Sequence, residues 1–454
     1  MPNRSPLAVP FLLLLALPAA AAPADCPLPA AALDLAGVVA QALCRNPDTH
    51  SAWLNVQAQQ ARVTLAKSAY YPTLDAAATQ AHALGDSAGT DKTSAQLSAN
   101  WLLYDFGARS ANRRQAEQVL AALQASQENT TQSVMRQAVD AYYAWHAADE
   151  ALTAAHSSED AAKETLRAAE TRQRVGAGTL ADVLQARTSL SQASLAVIQR
   201  DGTREIARGT VAQALGLASP SAITLAAPSQ QLPADLAPPA YEALAAALPD
   251  RRPDLRAQKL SVEAARAAQD NVDAQGRPTL SAFASDGLSR TQSASGNVEA
   301  GSVGVTLAVP LFAGGRYRAQ SVVAARQLDL AEADYERQKI AASNELWTAW
   351  QSVRTAAASI GASHDLVASA SEAHRAALAR YRAGLGSLIE VLTAQSTLAD
   401  ARQQEAAARF NWHRARVALI KSSGVLNATV LATETESPLR REPAAAAPVT
   451  EAQP

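Results

Sequence analysis

Few residues in this 454-residue chain have the types and spacing that covalent chemistry requires. Gly85, Asp86, Ser87, Ala88 and Gly89 match G-x-S-x-G, the pattern in which a serine on a strand-to-helix elbow attacks an acyl group. The elbow needs a strand before it and a helix after it, and here the pattern lies between two strand-like runs in a Gly-, Ser- and Thr-rich stretch, so it reads as a loop. The seven histidines are scattered, and His146 with His156 and His364 with His374 are ten apart, which offers no i, i+4 metal pair. Neither Gly176-Ala177-Gly178 nor Gly384-Leu385-Gly386 continues into G-x-G-x-x-G or the P-loop pattern, so no phosphate cradle follows. Cys26 and Cys44 form no C-x-x-C motif; a bridge between them and two free thiols are both open. No enzymatic activity, metal or cofactor is expected.

Composition turns attention to architecture. Lys plus Arg number 40 against 42 Asp plus Glu, a net charge of −2 with no basic block, which excludes a nucleic-acid partner. Apolar residues make up 48% of the chain but aromatics only 4%, so Ala, Leu and Val carry the apolar fraction and favour long, closely packed helices. Arg4, the apolar run Phe11 to Leu17 and the small residues Ala19 to Ala22 read as a signal peptide over 1–22. Asp25 stands where a small residue would precede a lipid-anchored Cys26, which argues against such an anchor. After the signal no run of about eighteen apolar residues occurs, so any membrane span must be made of strands.

The chain also repeats itself. QRVGAGTLADVL from Gln173 matches YRAGLGSLIEVL from Tyr381 at a shift of 208, and WLLYDFGARS from Trp101 matches VPLFAGGRYR from Val309 at the same shift. NPDTHSAW from Asn46 matches RPDLRAQK from Arg252, and YYPTLDAAA from Tyr70 matches GRPTLSAFA from Gly276, both at 206. The expected units are repeats over 23–218 and 240–430, a Pro-rich linker over 219–239, and a disordered Pro-, Ala- and Glu-rich tail over 431–454.

Each half reads as helix, strand, polar loop, strand, very long helix, Gly turn, helix. The first helix, about 48–69, ends before Pro72. In the second strand Ala95, Leu97, Ala99, Trp101 and Leu103 alternate with Gln96, Ser98, Asn100 and Leu102, the period of two of a sheet with unlike faces. HALGDSAGTDKT from His82 and GLSRTQSASGNVE from Gly287 read as polar tips between strands of membrane-crossing length. Tyr70, Tyr71, Trp101, Tyr104, Phe106 and Phe312 gather at strand ends, where a membrane interface or ordinary sheet packing would each use them. From Ala108 to Val175, and again from about Arg316 to Ala383, no proline interrupts a heptad-like stripe that includes Leu120, Leu123, Val134, Ala141, Trp145, Ala148 and Leu152. Such helices would run roughly 100 Å before reversing at the Gly turns.

The duplicated strand pairs, the tip motifs RVGAGTLADVL and RAGLGSLIEVL, and the strand exits LLYDFGAR and PLFAGGRYR resemble the TolC family of outer-membrane channel proteins over about residues 33–425. The resemblance implies an α+β membrane protein in which three copies pool four strands each into one twelve-stranded barrel, continued by a helical tunnel through the periplasm. It further implies a passive exit duct for efflux or type I secretion, working with a periplasmic adaptor and an inner-membrane ABC or proton-driven transporter. The opening ALCRNPDTHSAW looks more like the secretion-associated members. The rival, a periplasmic coiled-coil adaptor or spacer without a pore, would have no use for two membrane-length amphipathic hairpins.

Two sites follow at the tips. Gly176, Gly178, Thr179 and Leu180, with Gly384, Gly386, Ser387 and Leu388, lie where the family's adaptor docks, with Leu180 and Leu388 expected to be exposed. Asp182 and Glu390 occupy matching positions, so a trimer would gather six carboxylates at the narrow end. In the family a tyrosine matched by Tyr381 bonds the acid matched by Asp182 and holds the entrance shut. The sequence departs from the best-known members at Gly386, where they carry a latch arginine, and at Thr393, where they carry a second pore acid; Arg174 or Arg382 is the expected substitute cation.

Overall fold

The computed structural model describes residues 26, 31–82, 91–219, 223–228, 233, 235–291, 297–427 and 429. The signal peptide, the G-x-S-x-G run and the C-terminal tail lie outside the described residues.

Among the described residues twelve elements run in two parallel sets. The first is α1 (Leu35–Arg45), α2 (Pro47–Ser68), β1 (Thr73–His82), β2 (Asp91–Tyr104), α3 (Ala108–Arg174) and α4 (Leu180–Ala214). The second is α5 (Tyr241–Arg251), α6 (Pro253–Gln275), β3 (Thr279–Thr291), β4 (Asn297–Ala308), α7 (Arg316–Arg382) and α8 (Leu388–Ser422). The single opening helix expected in each half is therefore two helices. Asn46 and Arg252 are extended, as residues before proline must be, and Pro47 and Pro253 then start the next helix.

The strands form one antiparallel sheet in the order β1-β2-β3-β4, so β1 and β4 each keep one unpaired edge. Register assigns the faces. Ala76 pairs with Leu97, Ala99 with Ala284, Trp101 with Ala282 and Ala282 with Val305, so one face is an apolar band that also holds Leu74, Val303 and Leu307. Asp286, opposite Leu97 and Gly301, bounds that band towards the hairpin ends. The other face carries Thr73, Ser98, Asn100, Ser281, Ser285 and Ser302, with Ser285 Oγ and Ser302 Oγ 2.8 Å apart. The strands extend further into the polar tips than expected, to His82 and Thr291 and again from Asp91 and Asn297, because ladder hydrogen bonds do not require apolar side chains.

Both long helices contain 67 residues, about 100 Å each. Small residues make the close contacts near the sheet: Ala111, Ala122 and Ala125 are buried on α3, whereas Leu120 and Leu123 are only half-buried. Farther along, Val134, Ala138, Ala141, Tyr142 and Tyr143 join Val38, Val39 and Ala42 of α1 and Val211 and Leu215 in the largest core. Of the two states open to the cysteines, the structure has the Cys26–Cys44 bridge, and Arg45 donates to the Cys26 carbonyl at 2.6 Å.

Each half closes its hairpin and its last helix in the same way. Gly176 (φ 76°) and Gly384 (φ 79°) end α3 and α7, and Gly216 (φ 68°) and Gly424 (φ 80°) end α4 and α8. The bonds Ala177 N–H to Arg172, Leu385 N–H to Arg380, Leu217 N–H to Ala212 and Val425 N–H to Ile420 complete a Schellman cap at each. A side chain on Gly216 or Gly424 would also strike the carbonyl of Arg45 or Arg251.

Candidate functional site

The hairpin tips bring the expected residues together from four helices. After each Schellman turn a hydroxyl residue starts the return helix. Thr179 accepts from the Asp182 N–H while Asp182 accepts from the Thr179 N–H, both at 3.1 Å, and Ser387 accepts from the Glu390 N–H at 3.3 Å. Both tip acids thus sit in the first turns of helices, where the helix dipole favours negative charge. Gly178 and Gly386 are close-approach positions: an added Cβ would lie 3.1 Å from Arg172 Cβ and 3.2 Å from Arg380 Cβ. Gly386 therefore makes the tight turn itself rather than simply lacking a latch arginine.

Leu180 is exposed, but Leu388 is buried, against expectation. The two positions match in sequence and differ in surroundings: α8 packs against both α7 and α3, so Leu388 packs with Ala169, Leu378, Tyr381 and Val391, whereas α4 packs mainly against α3, which buries Val183 in its first turn and leaves Leu180 outside. The exposed apolar residues of the tips are Val175, Leu180, Leu385 and Ile389.

The latch also differs. Tyr381 is buried at 2% exposure and its Oη has no hydrogen-bond partner among the described residues; Asp182 instead caps the first turn of α4. Burial, with the nearby Asp182 charge, pushes the Tyr381 phenol above its ordinary pKa against the opposing pull of Arg172. The cation at this tyrosine is neither Arg174, which is exposed, nor Arg382, which pairs with Glu164. It is Arg172, which donates to the Tyr381 carbonyl and lies over its ring. The repeat carried a signal for it, since Arg172 and Arg380 share the 208-residue shift and brace equivalent turns.

Below the tips, polar contacts join the hairpins: Gln395 of α8 donates to the Ser158 carbonyl at 3.3 Å, and Arg409 pairs with Glu150 at 2.9 Å. A groove of about 690 Å³ between α4 and α8 is lined by Ser158, Gln185, Thr188, Gln192, Gln395 and Gln403. The second half also contains an ion cluster that motif reading passed over. Buried Arg252 bonds Asp254, Glu345 and the Ser422 carbonyl, and Lys421 bonds Glu345. Burial raises the Asp254 and Glu345 carboxyls, and their bonds to Arg252 more than reverse it, so both lie below their usual range. Its counterpart in the first half is Asn46, which donates to the equivalent Ala214 carbonyl at 3.2 Å without any ion.

This geometry, an apolar-faced sheet open at both edges on two duplicated helical hairpins, can be compared with known proteins. The model of the outer membrane efflux protein family matches residues 38–217 and 244–425, one block in each half. The chain belongs to the outer membrane efflux protein family. It is 31% identical to Protein CyaE of Bordetella pertussis, over 90% of this chain and 89% of that protein. It is 28% identical to Outer membrane efflux protein BepC of Brucella suis, over 87% and 86%. The fold of the Campylobacter jejuni CmeC outer membrane channel is similar, with a TM-score of 0.77 over 88% of this chain and 89% of that one at 18% identity. As a TolC-type efflux-family protein, the chain is an outer-membrane channel component that extends into the periplasm. Members of the family are channels rather than enzymes.

Proposed function

We propose that the chain supplies one third of a passive exit duct, energised by an inner-membrane ABC or proton-driven transporter through a periplasmic adaptor. The observation that carries this reading is the four-stranded sheet with an apolar face and two unpaired edges. Open edges are not tolerated in lipid and single barrels begin at about eight strands, so copies must associate; three of them pool twelve strands. The apolar band then faces outer-membrane lipid, with exposed Tyr70, Tyr71, Trp101, Tyr104, Phe106 and Phe312 at one interface. The hydroxyl- and amide-rich face lines the lumen. Leu195, Ile198 and Ile206 of α4 and Val322, Leu330 and Ile340 of α7 are exposed in the single chain and supply faces for neighbouring copies in a homotrimer.

At the far end, the turns Gly176 to Leu180 and Gly384 to Ser387, with Leu385 and Ile389, form the adaptor-docking tips. Asp182, Tyr381 and Glu390 form the periplasmic gate. The cargo is a drug or a secreted polypeptide. The test is export by cells carrying the full chain: replacing Gly176 and Gly384 by isoleucine should abolish export while trimers still form. Parent-like export by such trimers removes docking from these turns.

A further inference from the structure

The ends of α3 and α7 meet at the tip, and the Arg172 side chain bridges their last turns. Arg172 Nη1 donates to the Tyr381 carbonyl in the last turn of α7, and Nη2 donates to the Ala177 carbonyl of its own turn at 2.9 Å. The same guanidinium lies 4.7 Å from the centroid of the Tyr381 ring. A helix C-terminus is the negative end of the helix dipole, and here two such ends come together, so a cation shared between them offsets both. Its planar fork presents separate N–H groups to the two carbonyls in a fixed geometry, whereas a lysine would have to reach both from a single nitrogen.

The repeat supplies an internal comparison. Arg380 makes the matching turn contact, to the Leu385 carbonyl at 3.2 Å, but no hydrogen bond or ion pair to the first hairpin among the described residues. Bracing a turn is therefore common to both halves, and of these two matched arginines only Arg172 crosses between hairpins. Tyr381 is held through its carbonyl and ring, since its hydroxyl has no partner among the described residues. The second tie nearby, Arg382 to Glu164, is half-exposed on both sides and contributes little.

We propose that Arg172 is a positioning residue, the tie that sets the resting separation of the two hairpin tips in each protomer and through it the resting aperture of the duct. The aperture rests on the duct reading; the tie does not. The test uses the full chain in outer-membrane vesicles, with the pair E164C/R382C as a reporter, because those side chains meet across the hairpins.

Oxidant-driven disulfide formation in this pair should slow about tenfold when R172M is added, the equivalent of one charge-assisted hydrogen bond. R172K should slow it less, and Y381F should leave it unchanged. An unchanged or faster rate in R172M overturns the tie, as does a Y381F effect as large as that of R172M. In planar bilayers R172M should raise the single-channel conductance. Slowed cross-linking with parent-like conductance keeps the tie and overturns its link to the aperture.

Discussion

His413 offers a stability test whose size and sign both follow from the structure. It lies on α8, stacked on Tyr143 of α3 at 4.7 Å and 12°, and edge-on to Trp412 at 5.0 Å. Burial, with Arg416 and Arg409 adding like charge, pushes its pKa down from 6.5 to about 4. Between those values the unfolded chain holds a proton that the folded chain refuses, so stability rises with pH across the window and is lost as pH falls from about 6.5 towards 4. Acidification from about pH 7.5 to 4.5 crosses roughly two units of the window at about 1.4 kcal/mol each, a loss of about 2.7 kcal/mol. The assay is guanidinium unfolding in detergent at the two pH values, followed by tryptophan fluorescence, for the parent and for His413→Gln. The variant loses the stacked ring at every pH, and that offset cancels in the difference. Burial also lowers His146 on α3, but His146 is present in both proteins and cancels as well. The parent should lose about 2.7 kcal/mol more than the variant on acidification. Equal losses would refute the assignment of a neutral, half-buried His413.

Further predictions follow from single positions. Gly424→Ala combines a φ of 80° with a Cβ 2.6 Å from the Arg251 carbonyl, so it should destabilise the protein by about 3 kcal/mol and lower the thermal midpoint accordingly. Arg252→Ala leaves Asp254 without its cation and Glu345 with Lys421 alone, and should cost about 3 kcal/mol by denaturant titration, whereas Arg252→Asn, which places the residue of the first repeat there, should cost less. Glu390→Ala should reduce cation selectivity in planar bilayers, read as a shift of the reversal potential towards zero.

The parts of the fold that repeat were the legible ones. Strand pairs, 67-residue helices and Gly turns leave local signals, and the 208-residue shift aligns them within the sequence itself. What escaped was set by partners distant in sequence. Leu180 and Leu388 look alike, yet α8 packs against both α7 and α3 while α4 packs against α3 with little contact to α8, so one is exposed and the other buried. Arg172 was passed over because its partner carbonyl is 209 residues away, and Arg252 because nothing local shows that Glu345 will face it. The short helices α1 and α5 were missed because each ends at an X-Pro step that reads equally well as a loop. The Tyr381–Asp182 bond that the resemblance implies is absent among the described residues: Asp182 Oδ2 caps the first turn of α4 through Thr179, and the Tyr381 hydroxyl has no partner.

The central claim is that sheets with two open edges close only by pooling. Native mass spectrometry of the detergent-extracted, pore-forming protein tests it most directly. The account predicts one species of three protomers, matching a barrel built from three four-stranded sheets. A monomer that inserts and conducts would contradict it.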